Sequence, residues 1–126
     1  MKFIMCLCGL SFLIAQAVGG DVTIHLGGVS PVSRQVIQYQ CDASGPKLGL
    51  PKGPFPIEYI NGGGNSLALL PISGKTLIFV NVVSGSGARY AAQQYMWWEE
   101  AGRRVSLRRE TLTETTESVC QRIATP

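Results

Sequence analysis

The chain has 126 residues, of which 15% are charged, and its formal net charge at pH 7 is +3. This length suits one small domain with one core. So small an excess of positive charge argues against nucleic acid as the main partner, because phosphate binding usually needs a clear basic patch. The main cluster of basic residues is Arg103, Arg104, Arg108 and Arg109. Glutamates interrupt this cluster, which is typical of a solvated strand face.

The first residues have the pattern of a cleaved export signal. Lys2 supplies a positive charge, residues 3–14 are an apolar run, and A-Q-A at residues 15–17 has the small-x-small form of a cleavage site. The apolar run is shorter than the ~20 residues that a membrane-spanning helix needs. We therefore expect a signal peptide over residues 1–17. The mature protein would begin at Val18 as a soluble, periplasmic protein without a membrane anchor.

The cysteines predict a disulfide. Cleavage would remove Cys6 and Cys8 and leave Cys41 and Cys120. An even pair in an exported protein predicts a structural bond between the two. A metal or redox site would need C-x-x-C spacing or added histidines, and His25 is the single histidine. We therefore expect neither a metal nor a cofactor.

Short strand-like segments and turns follow one another along the mature chain. Residues 18–35 are an N-terminal arm or an extra strand, since residues 22–26 alternate between apolar and polar side chains. The main domain is expected over residues 36–126. Its strand-like segments are 35–41, 57–60, 67–70, 75–83, 94–98, 104–108 and 118–123. With residues 22–26 this makes about eight strands, at the spacing of an all-β sandwich or barrel.

A serine loop followed by an aromatic segment is the candidate functional motif. Ser86 lies among small residues at 85–88, which let the backbone bend sharply and approach another surface closely. Such a loop suits insertion into a partner's cleft, and the alternative is a hairpin turn whose residues serve backbone geometry alone. In the aromatic segment 95–98, the adjacent Trp97 and Trp98 should point to opposite faces of a strand. One is expected in the core and the other on the outer surface.

Several motifs occur together between residues 36 and 123. They are Tyr39-Gln40-Cys41, Leu67-Ala68-Leu69, Ser86-Gly87-Ala88-Arg89-Tyr90, Tyr95-Met96-Trp97-Trp98 and Cys120. In this combination the chain resembles the inhibitors of c-type lysozyme carried in bacterial envelopes, the MliC/PliC family. The resemblance implies a single eight-stranded antiparallel β-barrel. It also implies that a loop of the barrel enters the active-site cleft of c-type lysozyme.

The resemblance also implies the binding residues. The family's serine, which is placed at the lysozyme carboxylates, corresponds to Ser86, and the tyrosine of the same motif corresponds to Tyr90. The expected lysozyme-binding set is Ser86, Gly87, Ala88, Arg89, Tyr90, Tyr95 and Arg103.

A second family motif, Y-x-x-x-T/S-K-G, is only partly present. Tyr95 is in place, but Glu99, Glu100 and Ala101 stand where Thr or Ser, Lys and Gly would be. A carboxylate cannot replace an ammonium that faces an acidic site. Arg103 is one candidate replacement. The two glutamates are candidates to face basic residues at the rim of lysozyme.

Other functions remain open at this stage. An enzyme is disfavoured because no base is spaced to activate Ser86. The main alternative is a small-molecule-binding β-barrel carrier of the bacterial envelope, which would have an enlarged interior, and a structural envelope protein is a third possibility. A tightly packed barrel with a protruding Ser86 loop would favour the inhibitor. The sequence leaves open whether the mature protein is a monomer or a homodimer paired through residues 18–34.

Overall fold

The strands of the protein close into one barrel. The computed structural model describes residues 20–28, 31–101 and 104–124, so the expected signal peptide lies outside the described residues. Each strand is antiparallel to its neighbours, and the last pairs with the first. The strands are β1 (Ser33–Cys41), β2 (Phe55–Gly62), β3 (Asn65–Ile72), β4 (Lys75–Val82), β5 (Ala88–Ala92), β6 (Tyr95–Glu99), β7 (Val105–Glu110) and β8 (Thr115–Arg122). The eight-stranded antiparallel barrel is therefore confirmed.

Two strand assignments differ from the sequence prediction. Residues 22–26 form no strand, although their side chains alternate. A closed barrel has no free edge on which such a segment could pair. Ala88–Ala92, which was not among the strand-like segments of the sequence, forms β5 between β4 and β6. This segment is short and rich in alanine, so it lacks the β-branched pattern by which strands are usually found.

The disulfide joins the two strands that close the barrel. Cys41 and Cys120 lie opposite each other in the β1–β8 ladder and are bonded, with their Cα atoms 3.9 Å apart and 79 positions apart in sequence. This ladder aligns only three residue pairs, whereas β1 and β2 align seven. The bond therefore reinforces a short seam of the barrel, as the prediction of a structural disulfide required.

Aromatic side chains fill the barrel. Tyr39, Phe55, Phe79 and Trp97 are each 0–1% exposed. The rings of Tyr39 and Trp97 meet edge to face with their centroids 5.0 Å apart, a favourable geometry for an aromatic pair. Trp98 lies half-buried on the outer wall, so the opposite orientation of the two tryptophans is confirmed. The interior is thus packed with side chains, unlike the enlarged interior expected of a carrier.

The up-and-down topology sorts the loops into two ends. The β2–β3 turn, the β4–β5 loop with Ser86, the β6–β7 connection and the last residue of β8 lie at one end, called here the Ser86 end. The β1–β2, β3–β4, β5–β6 and β7–β8 connections lie at the opposite end. Any residue can therefore be placed at the Ser86 end or away from it by its position along its strand.

The N-terminal arm, residues 20–28, lies against the outside of the barrel. A cavity of about 490 Å³ separates it from the wall, with Val22, Ile24 and Leu26 on the arm side and Ile60 and Leu67 among the wall residues. This cavity is outside the barrel and is distinct from the Ser86 loop. Among the described residues, no helix has the length and apolar character to span a membrane.

Candidate functional site

The backbone of the Ser86 loop is held while its tip stays exposed. The Ser86 N–H donates to Ser84 Oγ at 3.3 Å, and the Ser84 hydroxyl donates back to the Ser86 carbonyl oxygen. Trp98 Nε1 donates to the same carbonyl at 3.0 Å. In the described part of the chain, every hydrogen bond found for Ser86 uses its backbone and none uses its hydroxyl. The residue is exposed, so this hydroxyl is available to a partner.

Gly87 lets the loop lie directly on the end of β6. Its φ angle is +64°, which L side chains rarely adopt. A Cβ built there would stand 1.8 Å from the Glu99 carbonyl oxygen and 2.7 Å from the Ala101 backbone nitrogen. No side chain fits this approach. Gly85 differs, since a Cβ there meets nothing within 4 Å.

Arg89 lies on the outer wall beside the loop. Its guanidinium carbon is 6.0 Å from the centroid of the Trp98 ring, within the range of a cation–π contact. Its Nε is buried and has no hydrogen-bond partner among the described residues. Trp98 therefore contacts both Arg89 and the Ser86 backbone, and it links the loop to the wall.

The structure does not bring the whole expected binding set together. Ser86, Gly87 and Arg89 lie at or beside the loop tip, and Ala88 begins β5 next to Glu99. Tyr90 is only 7% exposed and Tyr95 only 8%, because both point into the barrel. Tyr95 also follows the β5–β6 turn, at the end opposite Ser86. Arg103 lies outside the described residues.

A buried polar cluster below the loop was not found from the sequence. Glu99, which the sequence offered as a candidate to face basic residues at the rim of lysozyme, instead turns toward the barrel interior, and its side chain is 17% exposed. Its Oε1 accepts hydrogen bonds from the Tyr39 hydroxyl and, at 2.9 Å, from the Tyr59 hydroxyl. Trp97 Nε1 donates to Tyr59 Oη, also at 2.9 Å. A carboxylate that is largely buried needs such hydrogen-bond donors. The sequence signal that could have revealed this position of Glu99 is the alternation along β6, which puts Glu99 on the same face as Tyr95 and Trp97.

The cluster alters the acidity of its tyrosines. Burial raises the pKa of Tyr39 above its ordinary value, and the hydrogen bond to Glu99 adds to the effect. Burial also raises the pKa of Tyr59, together with its hydrogen bond to Tyr39 and the nearby charge of Glu99. In both cases the low-polarity interior and an adjacent carboxylate oppose a phenolate. The two hydroxyls therefore remain hydrogen-bond donors while the barrel is folded.

Arg122 completes the cluster at the barrel rim. Its Nη2 lies 3.5 Å from Glu99 Oε1, and its side chain is 59% exposed. Partial burial would lower the pKa of Arg122, but Tyr39 and Glu99 outweigh it and raise the pKa. The guanidinium is thus a cation at the Ser86 end. In the described residues, no three His, Cys, Asp or Glu side chains converge as a metal site requires.

A family model described as membrane-bound lysozyme-inhibitor of c-type lysozyme matches residues 39–115. The chain belongs to this family. The matched segment begins at the buried Tyr39 and includes the Ser86 loop and Glu99. The shared region is thus most of the barrel, from β1 to the start of β8.

Two curated members of the lysozyme-inhibitor family resemble the chain. The membrane-bound lysozyme inhibitor of C-type lysozyme of Pseudomonas aeruginosa is 43% identical over 76 residues, which are 60% of this chain and 54% of that protein. The chain therefore matches about half the length of this relative. The protein of the same name from Cupriavidus necator is 36% identical over 97 residues, which are 72% of this chain and 71% of that protein.

A solved member of the family has the same architecture. The crystal structure of Pseudomonas aeruginosa MliC in complex with hen egg white lysozyme superposes with a TM-score of 0.63 at 31% sequence identity. The superposition covers 85% of this chain and 100% of that chain.

Proposed function

We propose that the mature chain inhibits c-type lysozyme by inserting the Ser86 loop into the enzyme's active-site cleft, and so protects the bacterial cell wall. The observation that carries the proposal is that Ser86 is exposed and its hydroxyl is available. The residue is exposed at one end of the barrel, and its hydrogen bonds in the described residues hold its backbone while its hydroxyl stays available. Relatives named as lysozyme inhibitors, and a solved relative in complex with hen egg white lysozyme, support it.

The chemistry of the target suits a serine hydroxyl. C-type lysozyme works with two carboxyl groups, one kept protonated and one ionised. A hydroxyl can donate to the ionised group and accept from the protonated one. A peptide loop contains no glycosidic bond, so the enzyme cannot cleave what occupies its cleft. The loop would therefore act as a stable occupant.

Affinity would depend on loop stiffness as well as on Ser86. A hydrogen bond to a charged group contributes only ~1.5–3 kcal/mol net. Further contact must come from the loop and its surroundings, with little ordering on binding. The hydrogen bonds to the Ser86 backbone and the close contact of Gly87 with the Glu99 carbonyl oxygen would hold the loop in place before it binds. We propose Ser86, Gly87 and Arg89 as contacts, and the buried Tyr90 and Tyr95 as internal supports.

We infer a binding role rather than a catalytic one. His25, the single histidine, lines the cavity under the N-terminal arm instead of the Ser86 loop. A serine needs an adjacent base to become a nucleophile. Family relatives are named as inhibitors, which agrees with this inference.

A cell-wall lysis assay tests the function. Purified mature protein is titrated against c-, g- and i-type lysozymes in parallel, with the Ser86→Leu variant as the loop control. We expect inhibition of the c-type enzyme and loss of that inhibition in Ser86→Leu. A folded protein that leaves c-type lysozyme fully active would overturn the proposal.

We also infer export to the periplasm after cleavage behind Ala17. The apolar leader and the A-Q-A site support this inference. Mass spectrometry of the protein released by osmotic shock should give a chain that begins at Val18. Recovery only in the detergent-extracted membrane fraction would contradict a soluble product.

A further inference from the structure

A second charged group accompanies the Ser86 loop at the same end of the barrel. Arg122 is the last residue of β8 and pairs with Tyr39 of β1. The strand end is anchored just beyond it, because the Ile123 N–H donates to the Gln38 carbonyl oxygen at 3.0 Å. Up-and-down connectivity places the end of β8 on the same side as the β4–β5 loop. Arg122 is thus fixed in backbone position at the Ser86 end.

Glu99 connects Arg122 to the loop. On its backbone side, the Glu99 carbonyl oxygen lies against Gly87. On its side-chain side, Oε1 is held by the two buried tyrosine hydroxyls and lies 3.5 Å from Arg122 Nη2. One residue therefore touches both the loop and the guanidinium.

The contact with Glu99 orients the Arg122 side chain and leaves the rest of its guanidinium available for other hydrogen bonds. A guanidinium has five N–H donors in a planar fork, and the contact with Glu99 uses one of its nitrogens. The side chain remains 59% exposed. A carboxylate is the group that matches this fork, through two parallel hydrogen bonds.

We propose that Arg122 is a second lysozyme-contacting residue, which binds an acidic group beside the site taken by Ser86, and that Glu99 is its positioning residue. This inference rests on the proposed function. The chain has Glu100 where a lysine would stand in the second family motif, so residue 100 itself supplies no cation. Arg122 supplies one from another strand. Because the target is a carboxyl-bearing cleft, the cation acts locally rather than through net charge.

Binding of the mature protein to c-type lysozyme at two salt concentrations tests Arg122. Arg122→Gln should bind about 10-fold more weakly and with a shallower salt dependence, and Arg122→Lys should recover part of the affinity. The matched control is Arg109→Gln, because Arg109 pairs with Tyr95 at the opposite end and donates to the Lys47 carbonyl oxygen. The control should bind like the unmodified protein.

A double-mutant cycle separates positioning from general stability. Glu99→Gln should weaken binding several-fold alone but have little further effect in the Arg122→Gln background, because it acts through that residue. Equal losses in both backgrounds would show that Glu99 acts only on the fold. Unchanged binding by folded Arg122→Gln, with binding lost in Ser86→Leu, overturns this inference and leaves the proposed function intact. Unchanged binding by Ser86→Leu itself would instead remove the loop mechanism.

Discussion

The indole Nε1 of Trp98 donates a 3.0 Å hydrogen bond to the carbonyl oxygen of Ser86. A side chain on the outer wall of β6 thus holds the backbone of a loop between β4 and β5. Next to it along β6, the Glu99 carbonyl oxygen forms the surface on which Gly87 rests. Trp98 and Glu99, which are consecutive in β6, therefore hold the loop at Ser86 and at Gly87. An exposed loop of small residues is thereby attached to the barrel wall.

Removing the Ser86 hydroxyl should weaken inhibition without unfolding the barrel. If the hydroxyl meets the lysozyme carboxyl groups, Ser86→Ala should lose ~1.5–3 kcal/mol of binding free energy, a factor of about 10 to 150. Ser86→Leu should lose more, because its side chain blocks entry and desolvates the carboxyl groups without replacing their hydrogen bonds. Inhibition constants from the lysis assay give both values. Arg108→Ala is the control, since Arg108 pairs with Glu117 on the outer wall.

Removing the indole donor should loosen the loop. Trp98→Phe keeps an aromatic ring but loses Nε1, and a neutral hydrogen bond is worth ~0.5–1.5 kcal/mol net. We expect affinity for c-type lysozyme to fall about 2- to 10-fold, mainly through faster dissociation. Surface plasmon resonance measures that rate. A dissociation rate equal to that of the unmodified protein would show that the Ser86 carbonyl needs no such support.

A methyl group at Gly87 should disrupt the loop, whereas one at Gly85 should not. Gly87→Ala must place a Cβ 1.8 Å from the Glu99 carbonyl oxygen at a φ of +64°, so the loop has to move. The strained backbone alone should destabilise the variant by about 1–3 kcal/mol. Gly85→Ala meets nothing within 4 Å and is the matched control. The thermal unfolding temperature and the inhibition of lysozyme should both change in Gly87→Ala. Neither should change in Gly85→Ala.

Reduction of the disulfide should lower stability substantially. Cys41 and Cys120 are 79 positions apart. On the chain-entropy model, a loop of that length contributes about 4–5 kcal/mol, a large part of the stability of a small domain. Denaturant unfolding with and without reductant, each followed by circular dichroism, measures the difference. A midpoint that stays constant on reduction would show that the β1–β8 seam closes without the bond.

The buried tyrosines should make the protein sensitive to alkali. The pKa values of Tyr39 and Tyr59 are raised above the ordinary 10.0, so the folded state holds these protons more tightly than the unfolded state does. Their contribution to stability is complete below pH 10 and falls as the pH rises above it. Phenolate absorbance of these residues should therefore appear together with unfolding. Tyr59→Phe should reduce the absorbance change that accompanies unfolding, and ionisation of both groups in a fully folded barrel would refute the prediction.

The sequence by itself determined the fold class, the disulfide pair and the candidate loop. Alternating short segments, two cysteines in the mature chain and the small residues around Ser86 are local patterns, and local patterns are readable without coordinates. Opposite orientation of Trp97 and Trp98 also follows from the two-residue period of a strand. Residues 22–26 show the limit of such patterns, because a segment that alternates becomes a strand only if a partner strand is free.

Tertiary structure alone decided where Glu99, Arg122 and the tyrosines lie and what they contact. Tyr39 and Arg122 meet because β8 pairs with β1, and that closure joins residues from the two ends of the domain. Tyr90 and Tyr95 turn inward because the barrel needs their bulk in its core. Glu99 faces the interior because the position of each side chain depends on strand register. Long-range register is set by the whole barrel, so no short window of sequence contains it.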